Sequence, residues 1–154
     1  MTKLSRRALL PAAAGLGLLA LLLAAIRAPG AEQSAVELAY GADPRQKLDL
    51  YRPAKACPCP LVMFVHGGGW WNGDKEHTPK SDIDRFLSKG IAYAAINYRN
   101  LNEAARDGLF PPVLGPLQDT RRALQFLRLN EKELRLDGSR MAVYGSSAGG
   151  FNAL

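Results

Sequence analysis

The chain has 154 residues, 47 % of them hydrophobic, and a formal net charge of +6. Four of its twenty basic residues and none of its fourteen acidic ones fall in the first thirty positions, so residues 31–154 carry sixteen basic against fourteen acidic side chains. That near balance, without a basic stripe interleaved with aromatics, argues against nucleic-acid binding, and the remaining length suffices for one modest core.

Lys3, Arg6 and Arg7 precede an apolar run from Ala8 to Ile26, and no acidic residue appears before Glu32. Charge followed by an apolar stretch is the order of an export signal. The run Ser5-Arg6-Arg7-Ala8-Leu9-Leu10 resembles a twin-arginine signal, which directs folded proteins across the bacterial inner membrane. Ordinary secretion and a retained anchor are the alternatives: residues 8–26 are nearly long enough to span a bilayer, and Ala28-Pro29-Gly30 is only an approximate cleavage site. We therefore expect a leader or membrane anchor over residues 1–30, a folded domain over 31–154, and a periplasmic, secreted or membrane-anchored location. Cys57 and Cys59 flank Pro58. A disulfide over so short a span is expected to be strained, and two cysteines do not make a four-ligand metal site, so free or adventitiously oxidised thiols are expected.

Residues 36–40 and 47–51 alternate apolar and polar around the turn signal Gly41-Ala42-Asp43-Pro44, which predicts an antiparallel hairpin. Leu61 to Val65 is continuously apolar, as in a strand buried on both faces. Thr78 and Pro79 open a helix with Ile83, Phe86 and Leu87 on one face, Gly90 stops it, and Ile91 to Ile96 reads as a second buried strand. Residues 97–115, interrupted by Asn, Gly and Pro, read as a long surface connection. Pro116 opens a helix that buries Leu117, Ala123, Leu124, Phe126 and Leu127 and whose first turn contains Asp119, a carboxylate expected to complement the helix dipole. Asp137-Gly138-Ser139 returns the chain into the strand Met141 to Tyr144. Strand, helix, strand, helix, strand is the order of an α/β fold with a mostly parallel sheet.

The last strand runs into Gly145-Ser146-Ser147-Ala148-Gly149, a G-x-S-x-G pattern. Glycines two before and two after the serine permit a sharp strand-to-helix turn that lifts the Ser147 hydroxyl above the sheet edge, next to unpaired backbone N–H groups at a helix start. A serine needs a base to become a nucleophile, and residues 148–154 contain no His, Asp or Glu. Upstream, three glycines follow a buried strand in His66-Gly67-Gly68-Gly69, where bare backbone can approach a ligand and present N–H donors.

These two motifs, together with Asp49-Leu50-Tyr51-Arg52-Pro53, Trp70 to Gly73-Asp74-Lys75 and Asn97-Tyr98-Arg99, resemble the α/β-hydrolase family, in particular its carboxylesterase branch related to bacterial feruloyl esterases and hormone-sensitive-lipase-like enzymes. The resemblance covers roughly residues 36–154. It implies that Ser147 attacks the carbonyl of a small ester substrate while the N–H groups of Gly68, Gly69 and Ala148 hold the oxyanion, with Gly67 and His66 supporting the loop. His77 reads as a solvated surface residue. Trp70 and Trp71 either line the substrate pocket or pack beneath the loop. Neither metal nor cofactor is implied, since serine acyl transfer draws on a triad and an oxyanion hole. In this family the acid and the base follow the serine, so the chain is expected to be the N-terminal part of the fold, truncated after the nucleophile elbow and inactive alone. A formamidase-type amidase, sharing the glycine loop and serine elbow, and a non-catalytic anchored or binding remnant are the competing readings.

Overall fold

The computed structural model describes residues 35–54 and 58–154. The predicted leader or anchor lies outside these residues, as does Cys57. Five strands form one sheet: β1 (Val36–Ala39), β2 (Lys47–Tyr51), β3 (Cys59–Val65), β4 (Ala92–Ile96) and β5 (Leu136–Gly145), in the spatial order β1-β2-β4-β3-β5. The predicted hairpin is present as antiparallel β1 and β2, and β2 also runs antiparallel to β4. Strands β3, β4 and β5 are mutually parallel.

Period-2 alternation divides the apolar side chains between two layers. Leu61, Met63 and Val65 of β3, with Ala92, Ala94 and Ile96 of β4, pack with Ala123 and Leu127 of helix α3 (Leu114–Leu129). Val62 of β3 and Tyr93 and Ala95 of β4 point the other way, to Ile83 and Leu87 of α1 (Lys80–Leu87). Both central strands are therefore covered on both faces, which explains why their sequences read as apolar runs without alternation.

Several boundaries differ from expectation. The connection 97–115 contains a helix, α2 (Leu101–Arg106), started by a capping box in which the Asn100 side chain accepts from the Glu103 N–H while the Glu103 carboxylate accepts from the Asn100 N–H. Asp137 to Ser139 lies inside β5 rather than in a turn before it, following a short α4 (Glu131–Leu134). Cys59 is disulfide-bonded, which corrects the expectation of free thiols.

Asp119 also has a different role from the one expected. Helix α3 begins at Leu114, so Asp119 lies beyond its first turn, too deep to act chiefly on the dipole. Its carboxylate is fully buried and accepts four hydrogen bonds: from Arg99 Nη2 (2.7 Å), Arg99 Nε (3.0 Å), the Arg99 backbone N–H (3.0 Å) and Gln46 Nε2 (2.7 Å). Four donors match the acceptor capacity of a carboxylate, so the buried charge is compensated. The cluster joins the β1–β2 turn, the end of β4 and α3. Asp119→Asn, which removes the buried one of the two carboxylates paired with the Arg99 guanidinium and leaves only Asp107, is expected to lower unfolding free energy by about 3 kcal/mol, measured by urea denaturation of residues 31–154.

Candidate active site

From β3 the chain passes through α1 to β4 on one side of β3, then crosses back through α2, α3 and α4 to β5 on the other side. The winding direction thus reverses at β3. Connections leaving adjacent parallel strands in opposite directions open a crevice beyond their carboxyl ends, the usual ligand position in open α/β sheets. The last register pair of β3 and β5 is Val65 with Gly145, so the segments that follow, His66 to Gly73 and Ser146 onward, emerge side by side.

Ser147 stands at the turn between β5 and α5 (Ala148–Asn152) with φ 51° and ψ −120°. Those angles belong to the first central position of a type II′ turn, which glycine normally fills, and the Gly149 N–H closes the turn onto the Ser146 carbonyl at 2.8 Å. A serine held there is strained, at a cost of about 1–3 kcal/mol. The turn can be this tight because of its flanking glycines. A methyl group at Gly149 would collide with the Val65 and His66 carbonyl oxygens, and one at Gly145 would collide with the Gly149 carbonyl. Both Ser146 and Ser147 are exposed.

The glycine loop lies against this turn. A methyl group at Gly67 would touch the Ser146 carbonyl oxygen and the Ser147 Cβ, at 2.8 and 3.3 Å. Gly68 has φ 108°, outside the range of other residues, and its carbonyl accepts from both the Trp71 and Asn72 N–H groups, closing the loop on itself. Among the described residues, the N–H groups of Gly68, Gly69 and Ala148 donate to no acceptor. Gly68 and Gly69 are exposed. Gly68 and Gly69 directly follow Gly67, which lies against Ser147, and Ala148 directly follows the serine, so the three idle donors belong to the two segments that meet at this turn.

Beneath the loop, the His66 ring is 5 % exposed and stacks on Tyr98 with centroids 4.3 Å apart. Its Nδ1 lies 2.7 Å from the Gly67 carbonyl, and its Nε2 is buried without a hydrogen-bond partner. Burial lowers the pKa of His66 below the ordinary imidazole value, which keeps the ring neutral. Burial also raises the Tyr98 phenol to about 12, so it remains an O–H donor to the His66 carbonyl at 2.9 Å. No hydrogen bond joins His66 to Ser147 among the described residues. His77 lies in an exposed 3₁₀ turn, Lys75–His77. Of the two tryptophans, Trp70 is half-buried and Trp71 is 57 % exposed.

The far end of the loop is fixed by a network that sequence reasoning missed. Arg45 from the β1–β2 turn donates to Asp74 Oδ2 (3.0 Å) and to the Gly73 carbonyl (2.8 Å). Asn97, just after β4, donates to Asp74 and accepts from the Lys75 N–H. Only the Gly73-Asp74-Lys75 and Asn97-Tyr98-Arg99 triplets hinted at it, and Arg45 carried no signal because its partners lie about thirty residues away.

A parallel sheet with a serine on a strained strand-to-helix turn, faced by a glycine loop from the neighbouring strand, defines the α/β-hydrolase class. The sequence model of the BD-FAE family matches residues 48–154. Esterase LipC of Mycobacterium tuberculosis is 32 % identical over 115 residues, covering 72 % of this chain and 26 % of its own. The butyrate-bound esterase Est2 of Thermogutta terrifontis has a TM-score of 0.67 and 27 % identity, covering 78 % of this chain and 43 % of that one. The same esterase phosphonylated by sarin has a TM-score of 0.66 and 27 % identity, over 77 % and 43 % respectively. The chain belongs to the BD-FAE family, whose matched relatives are esterases of the α/β-hydrolase fold. It spans about a quarter of the length of LipC and under half that of Est2.

The turn geometry makes two substitutions behave oppositely. Ser147→Gly relieves the strained conformation and is expected to raise stability by about 1 kcal/mol. Gly149→Ala forces a methyl group into backbone and is expected to cost about 3 kcal/mol or more. Urea denaturation of both variants beside the parent measures the two signs, and a loss of stability in Ser147→Gly would contradict the strain.

Proposed function

We propose that this chain contributes the nucleophile and the oxyanion hole of an exported serine carboxylic-ester hydrolase. The observation that carries the reading is Ser147, exposed on a strained turn against which the glycine loop lies, with the N–H groups of Gly68, Gly69 and Ala148 idle in the two segments that meet there. Ser147 Oγ attacks the ester carbonyl carbon, the carbonyl electron pair moves onto oxygen, and the three N–H groups stabilise that charge. Collapse of the tetrahedral intermediate, with the proton that the base took from the Ser147 hydroxyl passing to the departing oxygen, expels the alcohol and leaves an acyl-serine, which water then hydrolyses. A butyrate-bound relative makes short acyl esters the first substrates to assay. His66 serves as a brace rather than the base, since its ring is buried, stacked and turned to the Gly67 carbonyl. The base and its acid partner are expected from the part of the fold that the relatives carry after the elbow. Without a base in reach of Ser147 these 154 residues alone should be nearly inert, because loss of a triad histidine costs about a millionfold in kcat.

The test uses a protein of the relatives' full length that carries residues 31–154. Ser147→Ala is expected to abolish both ester turnover and labelling by a serine-directed phosphonate, and Ser146→Ala to retain most of each. Normal hydrolysis with Ser147→Ala would sink the assignment.

Export through the twin-arginine route is the second part of the proposal, supported by Arg6 and Arg7 directly before the apolar run. A folded reporter fused after residue 40 should reach the periplasm, and replacing both arginines by lysine should block it. Undiminished export of the doubly substituted fusion, followed by fractionation, would point to another pathway or an anchor.

A further inference from the structure

Two segments carry the three idle N–H donors, and one directional bond joins them. Trp70 Nε1 donates to Asn152 Oδ1 at 2.9 Å. Trp70 directly follows Gly69 in the loop, and Asn152 ends the short helix that begins at Ala148. Among the described residues, no other hydrogen bond connects residues 67–72 with residues 147–154. The remaining contacts there are non-directional: Gly67 against Ser147, and the Trp70 ring edge-on to Phe151 with centroids 5.4 Å apart.

Both partners are held at a cost. Trp70 has φ 63°, a left-handed backbone that a bulky residue rarely adopts. Asn152 is buried, and its Nδ2 has no hydrogen-bond partner. The orientation of its amide follows from chemistry, because an indole N–H can only donate and therefore faces the carbonyl oxygen of Asn152, leaving the NH2 idle. A leucine in that place would remove the idle NH2 but would leave the Trp70 indole N–H without its acceptor, so the asparagine is present for that one bond.

We propose that Trp70 and Asn152 are a positioning pair that sets the distance between the glycine-loop donors, Gly68 and Gly69, and the elbow donor, Ala148. The proposal rests on the acyl-enzyme reading of Ser147. An oxyanion hole acts through donors that must lie 2.7–3.1 Å, by the usual geometry, from an oxygen that becomes charged only in the transition state. Displacement by about 1 Å can cost on the order of a hundredfold in rate. Gly68 and Gly69 are exposed and have no hydrogen bond of their own to fix them against the elbow, so the indole of the next residue, Trp70, supplies the restraint. The pair therefore acts on transition-state binding and leaves substrate binding largely untouched.

The test uses Trp70→Phe, which keeps one ring against Phe151 while removing the donor and the rest of the indole, and Asn152→Leu, which removes the acceptor together with the idle NH2 at similar volume. In a protein of the relatives' full length, each variant is expected to lower kcat for a short acyl ester about ten- to a hundredfold while KM stays within about twofold. The rate of inactivation by a phosphonate should fall in parallel, the double variant should be no worse than the poorer single one, and the loss of kcat should not follow the unfolding temperatures of the variants. If both single variants keep kcat within twofold while Ser147 of the parent is fully phosphonylated, the positioning pair is overturned and the nucleophile stands. Losses that multiply in the double variant, or that track a lowered unfolding temperature, also overturn it. A parent enzyme whose Ser147 takes no phosphonate overturns the reading on which the pair depends, and the pair with it.

Discussion

Backbone meets backbone where α5 crosses the end of β3, and the site depends on that contact. The turn at Ser147 is closed only because Gly149 can lie on the Val65 and His66 carbonyls without a side chain between them. Such proximity requires β3 and β5 to be adjacent and in the register that pairs Val65 with Gly145. Register in turn is fixed by the two apolar layers, since a one-residue slip would carry Leu61, Met63 and Val65 to the wrong face. The hydrophobic pattern of one strand therefore determines where a serine hydroxyl stands relative to a loop eighty residues away in the chain.

Polar residues collect at the same end of the sheet, and they hold segments rather than line a cavity. Asp119 with Arg99 and Gln46 fastens α3 to the end of β4 and to the hairpin turn. Arg45, Asp74 and Asn97 fasten the exit of the glycine loop. Tyr98 holds its entrance through the His66 carbonyl. Three successive residues after β4, Asn97 to Arg99, thus support three different parts of the site surroundings. A buried ion pair adds little over an apolar replacement in free energy, and what each of these adds to the apolar packing is a directional link between two segments.

What the sequence disclosed follows the range of the interaction. Strands β2, β3 and β4 and helix α1 were legible within a residue or two, because their signals, alternation, apolar runs and stop glycines, are local. The serine elbow and the glycine loop were legible because close backbone approach leaves only glycine as a solution. Helix α2 was overlooked, although Asn100 and Glu103 stand at capping-box spacing: six residues carry too little periodicity to compete with the surrounding Gly and Pro. The partners of Asp119 and of Trp70 could not be read at all. Arg99 stood out only as part of the Asn97-Tyr98-Arg99 motif and Asn152 not at all, and a local pattern names no partner for either.

The pairing of β3 with β5 has a consequence for the order of events during folding. Its contacts span about eighty residues, so loop closure must be met before they form, whereas the hairpin and the β3–α1–β4 unit close over much shorter loops. Until β5 docks, nothing compels Ser147 to adopt a left-handed backbone, and its hydroxyl is that of any serine in a flexible chain. The reactive geometry is thus a property of the finished sheet, and a nascent or partly unfolded molecule displays no activated nucleophile to its surroundings.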